Sequence, residues 1–141
     1  MNPLLVVDAS VAVKWYVPEA LAAEAARVRT GPAPLHAPEF LDPEVANILW
    51  KKVRKGDITR AQADAALAHL AAAPIPRTPD AGLVTPAFDL AVQTDRTVYD
   101  CLYLALAVQL NGRMVTADDR LVNALAGTPW AAHVLRLQDV T

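Results

Sequence analysis

Apolar residues fall along this chain in two alternating patterns, short unbroken runs and stripes at helical spacing. Leu4-Leu5-Val6-Val7 is an unbroken run with two β-branched members, which suits a short strand buried on both faces. From Ala9 to Tyr16 the apolar positions recur at helical spacing, with Asp8 or Ser10 able to cap the start. Pro18-Glu19 opens a second helix, rich in Ala and Glu, which reaches about Arg29 and breaks at Gly31-Pro32-Ala33-Pro34. Leu35-His36-Ala37 reads as a short strand. A longer helix runs from Pro38 to about Lys55 and ends at Gly56-Asp57. Thr59 caps the next helix, roughly Arg60–Ala72.

The prolines at 74, 76 and 79 make a connector, with an edge strand expected at Ile75-Pro76. A helix follows from about Leu83 to Thr94, with Pro86 in its first turn or kinking it. Val98–Leu110 is apolar nearly all round, the pattern of a buried helix, and Gly112 ends it. Arg113–Thr116 is a strand, Asp118–Ala126 a short helix and Val134–Leu137 a last strand. Strands alternating with helices imply right-handed crossovers and a parallel sheet. The expected fold is α/β, a three-layer α/β/α domain with a central parallel sheet of four to five strands, and a single domain spans 1–141.

Composition narrows the function classes. The chain has 141 residues, 54% hydrophobic and 20% charged, which excludes a disordered chain. A formal net charge of −2 gives no global basic field, so nucleic-acid contact would use a local patch. The single cysteine, Cys101, excludes an internal disulfide and reads as buried packing. The N-terminus carries no signal-peptide pattern, and the run Cys101–Leu110 is shorter than the roughly 20 residues a membrane span needs. A cytoplasmic protein without a membrane partner is expected.

Most of the fifteen acidic residues fall on helix surfaces or turns. Four sit in apolar surroundings: Asp8, Glu44, Asp100 and Asp118. Asp8 follows the first strand, where ligands bind in open α/β sheets. Glu44 shares a helix face with Leu41 and Ile48. Asp100 opens the most hydrophobic helix. Asp118 follows the strand that ends at Thr116. Each also has a reading without function. Asp8 can cap a helix, Asp100 fits a capping box with Thr97, and Thr116 with Asp119 repeats that pattern. The set argues for more. Two of the acids end parallel strands and so point to one sheet edge, and the other two lie on helices able to pack there. Converging carboxylates repel unless they gain protons or share a hard cation. Oxygen ligands without His or Cys suit Mg²⁺ or Mn²⁺, and such sites leave room for phosphate oxygens.

The motifs Val6-Val7-Asp8-Ala9-Ser10, Pro43-Glu44-Val45-Ala46-Asn47, Tyr99-Asp100-Cys101-Leu102-Tyr103-Leu104-Ala105-Leu106-Ala107 and Val115-Thr116-Ala117-Asp118-Asp119-Arg120-Leu121 together resemble the PIN-domain ribonucleases. Within that family they resemble the VapC-type toxins of bacterial toxin–antitoxin pairs. Order, spacing and total length all fit. The resemblance implies a Mg²⁺- or Mn²⁺-dependent endoribonuclease whose metal-binding acids are Asp8, Glu44, Asp100 and Asp118. Ser10, Thr116 and Asn47 match polar positions that support the family's site, and Asp119 is either a fifth acid or a cap residue. It also implies an RNA substrate, a cognate antitoxin protein and pairing as a homodimer.

The remaining features have bland readings beside functional ones. Lys51-Lys52-Val53-Arg54-Lys55 is a solvated helix end or an RNA-backbone contact. Lys14 and Arg120 lie close in sequence to site acids and could touch phosphate. His36, His69 and His133 stand outside the motifs, and Trp15, Tyr16 and Trp50 read as packing or interface residues. A PIN fold kept for binding alone, or a housekeeping RNA-processing nuclease, is the alternative. A metal-dependent adhesion site fails at Ala12, and an aspartate-nucleophile phosphatase fails at Ser10.

Overall fold

The computed structural model describes residues 3–141. In chain order the elements are β1 (Leu5–Val7), α1 (Ala9–Ala12), α2 (Ala22–Thr30), β2 (Leu35–Pro38), α3 (Leu41–Lys55), α4 (Arg60–Ala72), β3 (Arg77–Thr78), α5 (Val84–Thr94), α6 (Val98–Gln109), β4 (Arg113–Thr116), α7 (Asp119–Leu125) and β5 (Val134–Arg136). Among the described residues five parallel strands form one sheet in the order β3-β2-β1-β4-β5. The first strand therefore lies in the middle. Leu5 sits opposite Leu35 on one side and Arg113 on the other, and Val7 sits opposite Val115.

This order reverses direction at β1. The chain winds outward through β2 and β3, then returns to the far side of β1 as β4 and β5. Right-handed crossovers put α1–α4 on one face of the sheet and α5–α7 on the other. Contacts sort the same way, α1 with α3 and α3 with α4, and separately α5 with α6. The result is three layers with a topological switch between β1 and β4. Crevices at such a switch, beyond the carboxyl ends of the strands, are where open α/β sheets bind ligands.

Burial follows the sequence pattern. All three β1 residues are buried, as a central strand covered on both faces requires. In α6 every residue from Cys101 to Ala107 is buried, and the helix packs on β1, β2 and β4. Cys101 is a free, buried thiol. Thr59 caps α4 in a reciprocal box, with Gln62 N–H on its hydroxyl at 3.1 Å and its own N–H on Gln62 Oε1 at 2.8 Å. Gly56 ends α3 in the left-handed region at φ 80°, and Asp57 N–H closes on the Lys52 carbonyl at 2.9 Å.

Several boundaries shift for physical reasons. The helix after Asp8 stops as α-helix at Ala12 and tightens into a 3₁₀ turn over Val13–Trp15. The second helix starts at Ala22 rather than Pro18, because Glu19 is held by Lys14 at 2.9 Å and Lys52 at 3.0 Å. Pro38 closes β2 instead of opening α3. The edge strand is Arg77–Thr78, not Ile75-Pro76. Proline has no N–H to give, so Pro76 contributes only its carbonyl, to Ala37 N–H at 3.1 Å. Arg77 is anchored on Asp42 by Nε at 2.9 Å and Nη2 at 3.2 Å. Pro86 lies in the first turn of α5, where a missing N–H leaves nothing unpaired.

Gly112 joins α6 to β4 under the start of β1. A β-carbon there would lie 2.6 Å from the Leu4 carbonyl oxygen. Gly112→Ala should therefore lower the unfolding free energy by about 1–3 kcal/mol. Gly82→Ala, where a β-carbon meets nothing within 4 Å, should stay within about 0.5 kcal/mol of wild type. Urea denaturation of the two variants checks the contrast.

Candidate active site

Asp8 begins where β1 ends. Its backbone N–H bonds the Val115 carbonyl at 3.2 Å, and its own carbonyl accepts from Val11 and Ala12 at 3.0 and 3.1 Å. The main chain of Asp8 thus starts α1, but its side chain does not cap that helix. Instead Oδ2 accepts from the Thr116 hydroxyl at 2.7 Å and the Ser10 hydroxyl at 3.0 Å. Both hydroxyls are themselves oriented. Thr116 Oγ1 accepts from Asp118 N–H at 3.1 Å, and Ser10 Oγ accepts from Ala117 N–H at 3.0 Å. Two chains of bonds therefore run from the backbone after β4 to one oxygen of Asp8, and Oδ1 takes part in neither.

Asp118 caps α7, its Oδ1 accepting from Arg120 and Leu121 N–H at 3.0 and 3.3 Å. The helix starts at Asp119, so the Thr116–Asp119 capping box does not form and Thr116 serves Asp8 instead. Asp100 lies in the first turn of α6, with its N–H on the Thr97 hydroxyl at 3.1 Å. Glu44 lies in the first turn of α3, and its Oε1 accepts from the Tyr103 hydroxyl.

Electrostatics link the four acids. Burial raises the Asp8 pKa against the pull of its two hydroxyl partners, and the charge of Asp100 raises it further. Glu44 is pushed up to about 7, first by burial and then by Asp8 and Asp100, with the Tyr103 bond opposing. Asp100 is raised by burial and by Asp118, while Arg96 and Thr97 pull it down. Tyr103 stays a neutral donor, its pKa driven far up by burial and by Glu44. Groups of one charge that raise each other in a crevice form a functional centre more often than a structural one.

The other residues expected at the site divide. Ser10 and Thr116 both bond the Asp8 carboxylate. Asn47 is exposed one turn beyond Glu44, with no hydrogen bond to the site among the described residues. Asp119 is exposed and faces Arg136 at 4.0 Å. Lys14 and Lys52 are drawn to Glu19, and Arg54 lies over the Trp50 ring at 4.6 Å. Trp15 donates its indole N–H to the Ala25 carbonyl at 2.8 Å. His133 bonds the Gly112 carbonyl and His69 stacks on Tyr16, so these two histidines have structural partners. Tyr103 lies inside the third motif but is not singled out by the sequence reading, and the structure places its hydroxyl on Glu44. Its signal was present, since a phenol inside an otherwise aliphatic buried helix needs a hydrogen-bond partner.

Among the described residues no three His, Cys, Asp or Glu side chains are gathered into a ready cage for an ion. The donor chemistry still fits magnesium. Its ligands are oxygens, it keeps several waters, and one or two carboxylates suffice to hold it. Glu44 Oε2 and Asp118 Oδ2 have no protein partner among the described hydrogen bonds, whereas the Asp100 carboxylate has Thr97 and the Asp8 carboxylate has the Ala9 backbone beside its two hydroxyls.

Comparison with known proteins follows the same outline. The family model described as PIN domain matches residues 5–126, from β1 past the end of α7. The chain belongs to the PIN-domain family. Among curated relatives, Ribonuclease VapC3 of Pyrobaculum aerophilum is 36% identical over 119 residues, covering 83% of this chain and 91% of that one. Ribonuclease VapC3 of Mycobacterium tuberculosis is 33% identical over 120 residues, covering 85% and 86%. This PIN domain is thus of the VapC ribonuclease type. Two crystal structures share its fold. One is PAE2754 from Pyrobaculum aerophilum, with TM-score 0.71, 24% identity and coverage of 96% of this chain and 85% of that one. The other is the sarcin-ricin loop cleaving toxin VapC20 of Mycobacterium tuberculosis, with TM-score 0.66, 18% identity and coverage of 85% and 94%.

Two outcomes are expected of this PIN domain. Without divalent cations its stability should fall as pH rises from 4.5 to about 7. Folded Glu44 holds its proton through that window and the unfolded chain does not, so the penalty is absent below 4.5 and full above about 7. Urea midpoints in EDTA at pH 5 and pH 8 read the difference, and Mg²⁺ should narrow it at pH 8. Thr116→Val should weaken Mn²⁺ binding by about 10- to 100-fold, as loss of a residue that orients a ligand does. Titration of the free Mn²⁺ electron-spin signal measures it.

Proposed function

We propose that this PIN domain is the toxin of a toxin–antitoxin pair, an endoribonuclease that hydrolyses RNA phosphodiester bonds at a Mg²⁺ or Mn²⁺ site held by Asp8, Glu44, Asp100 and Asp118. The observation that carries the reading is the electrostatic coupling of these four acids at the β1–β4 switch point, with Glu44 raised to about 7. Excess negative charge kept in a half-buried crevice is a standing demand for a cation. The relatives' names as VapC ribonucleases support the reaction and the toxin role.

A bound divalent cation supplies charge neutralisation and activation of a water for attack on phosphorus. The chain supplies position. Thr116 and Ser10 hold Asp8 by Oδ2. Tyr103 holds Glu44 by one oxygen, and the α7 backbone holds Asp118 by one oxygen. Each of these three carboxylates thus has one oxygen fixed by the chain. Burial and the charges of Asp8 and Asp100 raise Glu44, and a cation held by these acids would favour its charged form. A cognate antitoxin and a cytoplasmic setting belong to the same reading, as does a homodimer. An exposed apolar stripe on α5, Val84, Phe88 and Val92 at successive turns, supports a protein contact.

The purified chain should cleave RNA with Mg²⁺ or Mn²⁺ and stop in EDTA. The double variant Asp8→Asn, Asp100→Asn should lose at least about 100-fold in rate, the scale of removing a main electrostatic element of a centre. Undiminished cleavage by that variant, checked by gel analysis of RNA ends, would sink the assignment.

A further inference from the structure

We propose that the ring of Tyr99 is a stacking platform for one nucleobase of single-stranded RNA, set at the lip of the acidic centre. The inference rests on the ribonuclease reading and adds to it a binding subsite. Tyr99 is 60% exposed although it lies in the first turn of the most deeply buried helix. Its ring stacks on Phe40 with centroids 5.0 Å apart and planes 9° apart. Phe40 meets Tyr103 edge-on at 6.3 Å and 67°, and the Tyr103 hydroxyl holds Glu44. Three rings therefore form a column whose inner end is a site carboxylate and whose outer end is open. Phe40 covers one face of Tyr99, so the exposure belongs to the other face and the edges.

The neighbours suit a nucleotide. The next residue in the chain is Asp100. Arg96 is close enough for its charge to lower the Asp100 pKa, and among the described residues it forms no ion pair. Its Nε rests on the Asp95 carbonyl at 3.3 Å, which leaves the guanidinium free for a phosphate. A flat ring backed by a second ring beside a free cation matches the way single-stranded nucleic acid is held, by base stacking and backbone charge. A protein partner needs only apolar area, which an aliphatic side chain would supply as well. The backed ring at Tyr99 offers the flat π-face that a base requires.

The test uses the full chain, Mg²⁺ and an oligoribonucleotide spanning a cleaved site, with 2-aminopurine placed at successive positions. Stopped-flow fluorescence in the first turnover should show quenching at one position. Tyr99→Leu keeps apolar bulk but removes the flat face. It should lose the quench and raise KM by about 5- to 150-fold with kcat within a few-fold, the range for one lost base stack. Tyr99→Phe and Tyr99→Trp should restore both. In wild type, an abasic nucleotide at the quenched position should raise KM by the same factor, which keeps the test intact if Tyr99→Leu folds poorly. Cleavage with no quench, or a Tyr99→Leu enzyme with wild-type KM and quench, overturns the platform and leaves the ribonuclease reading standing. A Tyr99→Leu change in sedimentation mass with the quench retained makes the ring a contact between copies and also overturns it. If the chain cleaves no RNA with any divalent cation, the ribonuclease reading fails first and the platform falls with it.

Discussion

The Asp8 carboxylate stands at the end of the central strand, 7% exposed, in a layer otherwise given over to valine and leucine. Such a group costs several kcal/mol unless it is bonded or neutralised. The chain itself supplies the bonds. The Thr116 and Ser10 hydroxyls both turn to one oxygen, and each is aimed by a backbone N–H from the turn after β4. These bonds tie the ends of β1 and β4 together and bring the Asp118 backbone N–H onto the hydroxyl that holds Asp8. Burial still raises the Asp8 pKa against these bonds.

The supporting shell reaches from the site into the core. Tyr103 is wholly buried in α6, yet its one polar atom ends on Glu44 from α3. Helices from opposite faces of the sheet are thereby joined at the crevice. The same tyrosine supports Phe40, and Phe40 supports Tyr99. Packing and chemistry share residues here, so repacking the top of α6 would disturb carboxylate geometry as well as stability.

Much of this was legible in the amino-acid pattern because it rests on local rules. The buried run of β1, the all-apolar α6, the Thr59 cap and the Gly56 stop are read correctly from neighbours in sequence. Asp8, Glu44, Asp100 and Asp118 stood out as charges in apolar surroundings, and the structure brings them within reach of each other's fields. What escaped was set by distant partners. Glu19 left its helix for two lysines, and Arg77 fixed the edge strand through Asp42, 35 residues away. The Thr-x-x-Asp pattern at Thr116 suggested a capping box, but the Asp8 oxygen competes for that hydroxyl and wins. Periodicity carries no information on such pairings. The Phe40–Tyr99 stack is of the same kind, since its two rings come from different layers.

The sheet order carries a consequence for synthesis. β1 leaves the ribosome before the other strands, but the strand that completes its crevice comes after residue 112, behind the four longest helices. Domains fold as units, and chain made early waits for partners made late. Until β4 joins, Asp8 has neither Thr116 nor Asp118. An unfinished copy, or one cut short by a premature stop, holds no assembled centre. For a PIN domain of the VapC ribonuclease type, this topology ties assembly of the four acids to completion of the chain.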